Sequence, residues 1–139
     1  MRKIMLIAAL VAVAILALAP MAVAATKVGT QAANTLVGTD GKDNLYDLGG
    51  SDDIRAKLSN DNVYAGNGND DVRASNGNDY VSGGKGQDTL FGENGNDRIE
   101  AFDGNQDFIN CGAGDTDRVT VDSSDEYVNC EVVLSPVVV

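Results

Sequence analysis

The period of the chain constrains it most. Asp stands at 43, 52, 61, 70, 79, 88 and 97, always nine residues apart. Two residues after each comes an aliphatic side chain: Leu45, Ile54, Val63, Val72, Val81, Leu90 and Ile99. Two residues before comes Gly41, Gly50, Gly68, Gly77, Gly86 or Gly95, with Ser59 the exception. The phase reaches back to Asn34 and Leu36, where the acid becomes its amide. It reaches forward, after one-residue insertions, to Asp107/Ile109 and Asp117/Val119. A fixed period over this many units marks a repeat architecture, in which each unit buries its apolar residue only against its neighbours.

Nine is a poor period for a helix. At 3.6 residues per turn, every ninth residue lands about 900° on, half a turn from its predecessor, so the Asp would alternate between faces. Dense Gly and Asn would weaken such a helix further. Each unit divides instead into a six-residue polar turn ending in Asp and a three-residue strand centred on the aliphatic, as in Gly83–Asp88 followed by Thr89–Leu90–Phe91. Strand side chains alternate, so the central aliphatic faces inward. Two units then make an 18-residue coil, and stacked coils form an all-β, right-handed parallel β-roll whose two aliphatic rows meet inside. A series of antiparallel hairpins is the rival, since Asn67-Gly68, Asn76-Gly77 and Asn94-Gly95 are hairpin dipeptides. Three-residue strands are too short for that meander, and hairpins require no Asp at every ninth place.

In a roll, alternate turns share a side. Asp43, Asp61, Asp79 and Asp97 form one column that Asp117 continues. Asp52, Asp70, Asp88 and Asp107 form the other, with Asn34 at its start. Coils about 4.8 Å apart would bring bare carboxylates close enough to repel by about 3 kcal/mol per pair. The chain offers few cations against this, and Arg55, Arg73 and Arg98 fall on strands rather than turns. A hard divalent cation answers the repulsion. Carboxylates and Gly-rich backbone carbonyls supply a flexible all-oxygen shell, which suits calcium better than magnesium. With no His, softer metals lack ligands. An EF-hand fails, because Asp103, Asn105 and Asp107 are followed by Phe108 where Gly is required.

These residues resemble the RTX, or haemolysin-type, calcium-binding nonapeptide repeat G-G-x-G-x-D-x-U-x, in which U is a large aliphatic. Residues 83–91 (GGKGQDTLF) match every fixed place, and 65–73 (AGNGNDDVR) and 92–100 (GENGNDRIE) each miss one Gly. The resemblance implies several bound calcium ions, with Asp43, Asp52, Asp61, Asp70, Asp79, Asp88 and Asp97 as side-chain ligands. Asp107 and Asp117 follow at altered spacing. Residues 56–64 (AKLSNDNVY) contain no Gly, which questions the sites beside that turn. Larger family members carry a separate active domain and a C-terminal export signal. This chain looks instead like the small, freestanding secreted bacterial members.

Composition adds the compartment. Arg2 and Lys3 precede an apolar run from Ile4 to Ala19, and Ala22-Val23-Ala24 places small residues at −3 and −1 of a cleavage site. That pattern predicts a signal peptide over 1–24, a roll over 25–120 and a cap and tail over 121–139. Without Arg2 and Lys3, 8 basic residues of 10 remain against 21 acidic ones, a net charge of −13. Such a charge argues against nucleic acid and anionic membranes. With no His, the usual Ser-His-Asp and Cys-His catalysis is absent. Cys111 and Cys130, the only cysteines, read in a secreted chain as a disulfide rather than a reactive dithiol.

The expected function is a secreted, extracellular, non-enzymatic calcium-binding scaffold or binding module that is disordered until calcium arrives. The alternative is a calcium-dependent accessory protein that binds or modifies polysaccharide, with a glycan or cell-surface partner. An ice-binding roll would show an outward Thr ladder, whereas the outward row reads Tyr46, Arg55, Tyr64, Arg73, Ser82, Phe91, Glu100.

Overall fold

The computed structural model describes residues 22–136. Segments 1–21, with most of the expected signal peptide, and 137–139, the end of the expected tail, lie outside the described residues. The described chain forms 13 strands and no helix, so no helix there is long and apolar enough to cross a membrane.

The strands run β1 (Thr26–Val28), β2 (Thr35–Val37), β3 (Asn44–Tyr46), β4 (Asp53–Leu58), β5 (Asn62–Asn67), β6 (Asp71–Asn76), β7 (Tyr80–Lys85), β8 (Thr89–Asn94), β9 (Arg98–Glu100), β10 (Phe108–Asn110), β11 (Arg118–Thr120), β12 (Glu126–Val128) and β13 (Val132–Leu134). Odd strands form one seven-stranded sheet in sequence order, and even strands form a six-stranded sheet. Every pairing is parallel, the arrangement of a β-solenoid and not of hairpins. Leu45 pairs with Val63 and Val63 with Val81, a step of 18 residues. Ile99 pairs with Val119, a step of 20, because the two inserted residues are taken up between strands and the inward row keeps its register.

The core holds more than a single aliphatic row on each side. Leu36, Leu45, Ile54, Val63, Val72, Val81, Leu90, Ile99, Ile109 and Val119 are buried as expected. A second inward row follows two residues later, with Ala56, Ala65, Ala74, Ala101, Cys111 and Val121 also buried. The middle strands β4 to β8 accordingly run six residues rather than three. Alternation continues into the first half of what the nine-residue pattern assigns to the turn, because a small side chain fits against the facing sheet there.

On the outer faces, side chains in equivalent positions stack along the axis. Tyr46 lies on Tyr64 with ring centroids 4.9 Å apart and planes at 8°, close to the coil spacing. Tyr80, which is in register with Asn62, tilts against Tyr64 at 5.4 Å, while Ser82 takes the equivalent place in the row. On the other sheet Arg73 sits over the Phe91 ring at 5.5 Å.

The disulfide between Cys111 and Cys130 is present, closing 19 residues of sequence. It joins the end of β10 to the segment after β12, two strands that are hydrogen-bonded neighbours. β12 and β13 add to the two sheets in parallel register but are exposed along their length, so the bridge holds coils with little core of their own. Replacing both cysteines by Ser is expected to lower stability by about 3 kcal/mol in the chain-entropy picture. Native-state hydrogen exchange should show the lost protection concentrated in β10 to β13, with β4 to β8 unchanged.

Candidate metal centre

Each turn ends by returning the chain to a strand, and the Asp at that point carries the ladder between coils. The backbone N–H of Asp43 donates to Oδ1 of Asp61 at 2.7 Å, Asp61 to Asp79 at 2.7 Å, Asp79 to Asp97 at 2.8 Å, and Asp97 to Asp117 at 2.7 Å. On the other side Asn34 donates to Asp52 at 2.6 Å, Asp52 to Asp70 at 2.9 Å, Asp70 to Asp88 at 2.9 Å, and Asp88 to Asp107 at 2.8 Å. The structure therefore brings together both columns read from the spacing, with Asp107 and Asp117 in place despite the insertions.

Two column members escaped the sequence reading. Asp107 N–H donates to Oδ1 of Asp125 at 3.0 Å, and Asp117 N–H donates to Oε2 of Glu131 at 2.9 Å. Asp125 stands 18 residues after Asp107, a signal hidden because Tyr127, not an aliphatic, follows two residues later. Glu131 follows Asp117 by 14 residues, a spacing with no period to betray it.

All nine predicted acids are buried, none more than 3% exposed. Their second oxygens divide them. Oδ2 of Asp52, Asp61, Asp70, Asp79, Asp88, Asp97, Asp107 and Asp117 is buried with no hydrogen-bond partner. Asp43 differs, because Thr39 donates to its Oδ2 from both N–H, at 2.5 Å, and Oγ1. Its Oδ1 accepts from the N–H of Ala25. Asp43 thus closes the start of its column with protein partners alone.

A buried carboxylate with one lone oxygen favours its neutral form. Burial pushes Asp61, Asp88 and Asp97 up to about 6, and Asp70, Asp79 and Asp107 up to about 7. The ladder N–H opposes this, and neighbouring carboxylates add to it. Either protons or cations must answer the stack.

The turn backbone shows why the motif asks for Gly. At Gly95, φ is +124°, and a Cβ there would come within 1.7 Å of the Gly77 carbonyl oxygen one coil earlier. At Gly92 a Cβ would meet Oδ2 of Asp97 at 2.3 Å. Glycine therefore lets backbone carbonyls and carboxylate oxygens crowd the same narrow turn. The Gly-free turn of 56–64 nevertheless takes the same course. Lys57 at φ +90° and Ser59 at φ +77° stand where Gly66 and Gly68 stand in the next unit, and Asp61 keeps its place in the column. Stacking on both sides imposes the turn, at a strain of about 1–2 kcal/mol per left-handed residue.

The donor set fits calcium and little else. The orphaned atoms are all carboxylate oxygens, and both cysteines are bonded to each other. Among the described residues no three His, Cys, Asp or Glu side chains converge on one point. An ion in the motif turns would thus take one or two carboxylates and complete its shell with backbone carbonyls, which calcium's six to eight flexible oxygen ligands permit. An open groove lined by Asn34, Asp52, Asp70 and Gln87 runs beside the even column.

A parallel β-solenoid with half-satisfied acid ladders in its turns defines a class of metal-dependent repeat protein. The family model of the RTX calcium-binding nonapeptide repeat (4 copies) matches residues 28–63, 48–81, 57–90, 64–99 and 82–117, so the chain belongs to that calcium-binding family. No curated protein and no solved structure matches the chain.

Two outcomes follow from this geometry. Gly95→Ala should cost about 2–4 kcal/mol, from left-handed strain plus the carbonyl clash, measured by urea denaturation in saturating calcium. A carboxyl that binds its proton more tightly when folded stabilises the fold in acid, and that contribution disappears as pH rises through the folded value. In chelator, the β signal in circular dichroism is expected to be strongest near pH 4 and to fall by pH 8. A signal that grows with pH contradicts the assignment.

Proposed function

We propose that this chain is a secreted, extracellular scaffold or binding module, without catalytic activity, that orders when calcium enters its turns. The observation that carries the reading is the row of eight buried repeat carboxylates with one oxygen committed to the ladder and the other unpartnered. An orphaned buried acceptor costs free energy, and a column of them cannot stay ionised in the fold without positive charge.

The division of labour follows from the partners. Asp52, Asp61, Asp70, Asp79, Asp88, Asp97, Asp107 and Asp117 would turn Oδ2 to the ion, while Oδ1 holds the N–H of the previous coil. Asp43, satisfied by Thr39 and Ala25, would act as the opening cap rather than as a ligand. Each ion would bind only where two coils are already adjacent, so binding free energy becomes folding free energy.

The second reading, a calcium-dependent protein that binds or modifies polysaccharide, draws on the cluster of Tyr46, Tyr64 and Tyr80. Tyr46 and Tyr64 lie face to face, so the ring surfaces that would stack on a sugar are turned toward each other. The scaffold reading is therefore preferred.

Circular dichroism at pH 7.5 with chelator and then with millimolar calcium tests the proposal. A largely disordered spectrum converting to β with calcium is expected. Asp79→Asn should weaken the conversion, and Asp43→Asn should leave the number of bound ions unchanged by calorimetry. A β spectrum indifferent to chelator refutes calcium-dependent folding.

A further inference from the structure

The inward row of small residues contains one acid. Gly29, Gly38, Ala56, Ala65 and Ala74 occupy equivalent positions around it, and Asp47 stands among them. In the repeat motif this is the first glycine place, so nothing in the nine-residue pattern asks for a carboxylate there. Asp47 is 5% exposed and its Oδ2 has no partner. Its carboxylate occupies space left by the previous coil, since a Cβ at Gly29 would meet Asp47 Oδ1 at 2.4 Å.

Two other polar side chains meet it. Asp52 ends the same turn, is 3% exposed, and also has an unpartnered Oδ2. Asn34 Nδ2 lies 3.3 Å from Asp47 Oδ1 and 3.4 Å from Asp52 Oδ1. A single amide nitrogen thus stands between two buried carboxylates. The ion pairs of the described residues, Arg55–Asp53, Arg73–Asp71 and Arg98–Glu100, join outward side chains and leave this place without a cationic partner. That nitrogen also donates to the Ala32 carbonyl, and Asp47 Oδ1 accepts from the N–H of Leu48 at 2.7 Å.

We propose that Asp47 joins Asp52 on one calcium ion in the first coils, a second carboxylate from the same turn that no other turn of the repeat supplies. It rests on the calcium-dependent reading above and names a ligand that the nine-residue motif does not contain. Two carboxylates from one turn balance the charge of a divalent ion before any second coil contributes. Calcium affinity rises with ligand charge and with rigidity, so this site fills first and starts the ordering of the roll.

Calcium titration of the oxidised full chain by calorimetry tests it. Asp47→Ala places in the row the residue that Ala56, Ala65 and Ala74 show it accepts, and Asp47→Asn keeps the volume. The wild type should show a tight phase ahead of the others. Asp47→Ala should lose that phase, its ion binding only as weakly as those of the other motif turns, and Asp47→Asn should weaken it tenfold or more. Circular dichroism in saturating calcium should show both variants folded. Wild-type affinities in both variants overturn this ligand while leaving the motif sites standing. No calcium binding by the wild type overturns both.

Discussion

The structure depends on one hydrogen bond repeated along two columns, from the backbone N–H of a turn Asp to the carboxylate of the Asp one coil later. It is charge-assisted when the acid is ionised and therefore stronger than a neutral pair. It also fixes where the carboxylate stands, inside the turn and shielded from water. The second oxygen then has no protein donor. The bond that aligns the coils thereby leaves one buried, unpartnered oxygen on each of eight carboxylates, and under the proposed function stacking and ion binding would be one process.

The same constraint explains the rest of the turn. With coils at strand spacing, carbonyl oxygens of one turn press on the α-carbons of the next, and only glycine tolerates both that approach and a positive φ without strain. Where the chain lacks glycine, at Lys57 and Ser59, the neighbours hold the turn in the same shape. Position within the stack outweighs local preference. The aromatic and Arg rows on the outer faces are a further product of stacking, since equivalent residues lie one coil apart.

The two ends solve a different problem, because a ladder needs a first acceptor and a last one. At the start, Asp43 finds its partners in Thr39 and Ala25. At the finish, Asp125 and Glu131 accept the last N–H groups, and the disulfide secures strands that have lost most of their core. The end rows carry Tyr127 and Val133 at inward register but exposed, as expected where no further coil covers them.

The sequence alone determined the period, and the period determined most of the fold: parallel coils of 18 residues, an inward aliphatic row, two acid columns and their oxygen-only chemistry. Those properties follow from spacing and side-chain alternation, which are local. The second inward row was less legible, because Ala56, Ala65 and Ala74 carry no hydrophobic signal of their own and become core only when the facing sheet closes over them. Asp125 and Glu131 were hidden for a related reason, since they join the columns through space after the rhythm has broken. Tertiary structure alone decided which oxygen of each carboxylate is spent on the ladder and which is left over. It alone separated Asp43 from the eight acids it resembles in sequence, because partners supplied by Thr39 and Ala25 exist only once the first coil has closed.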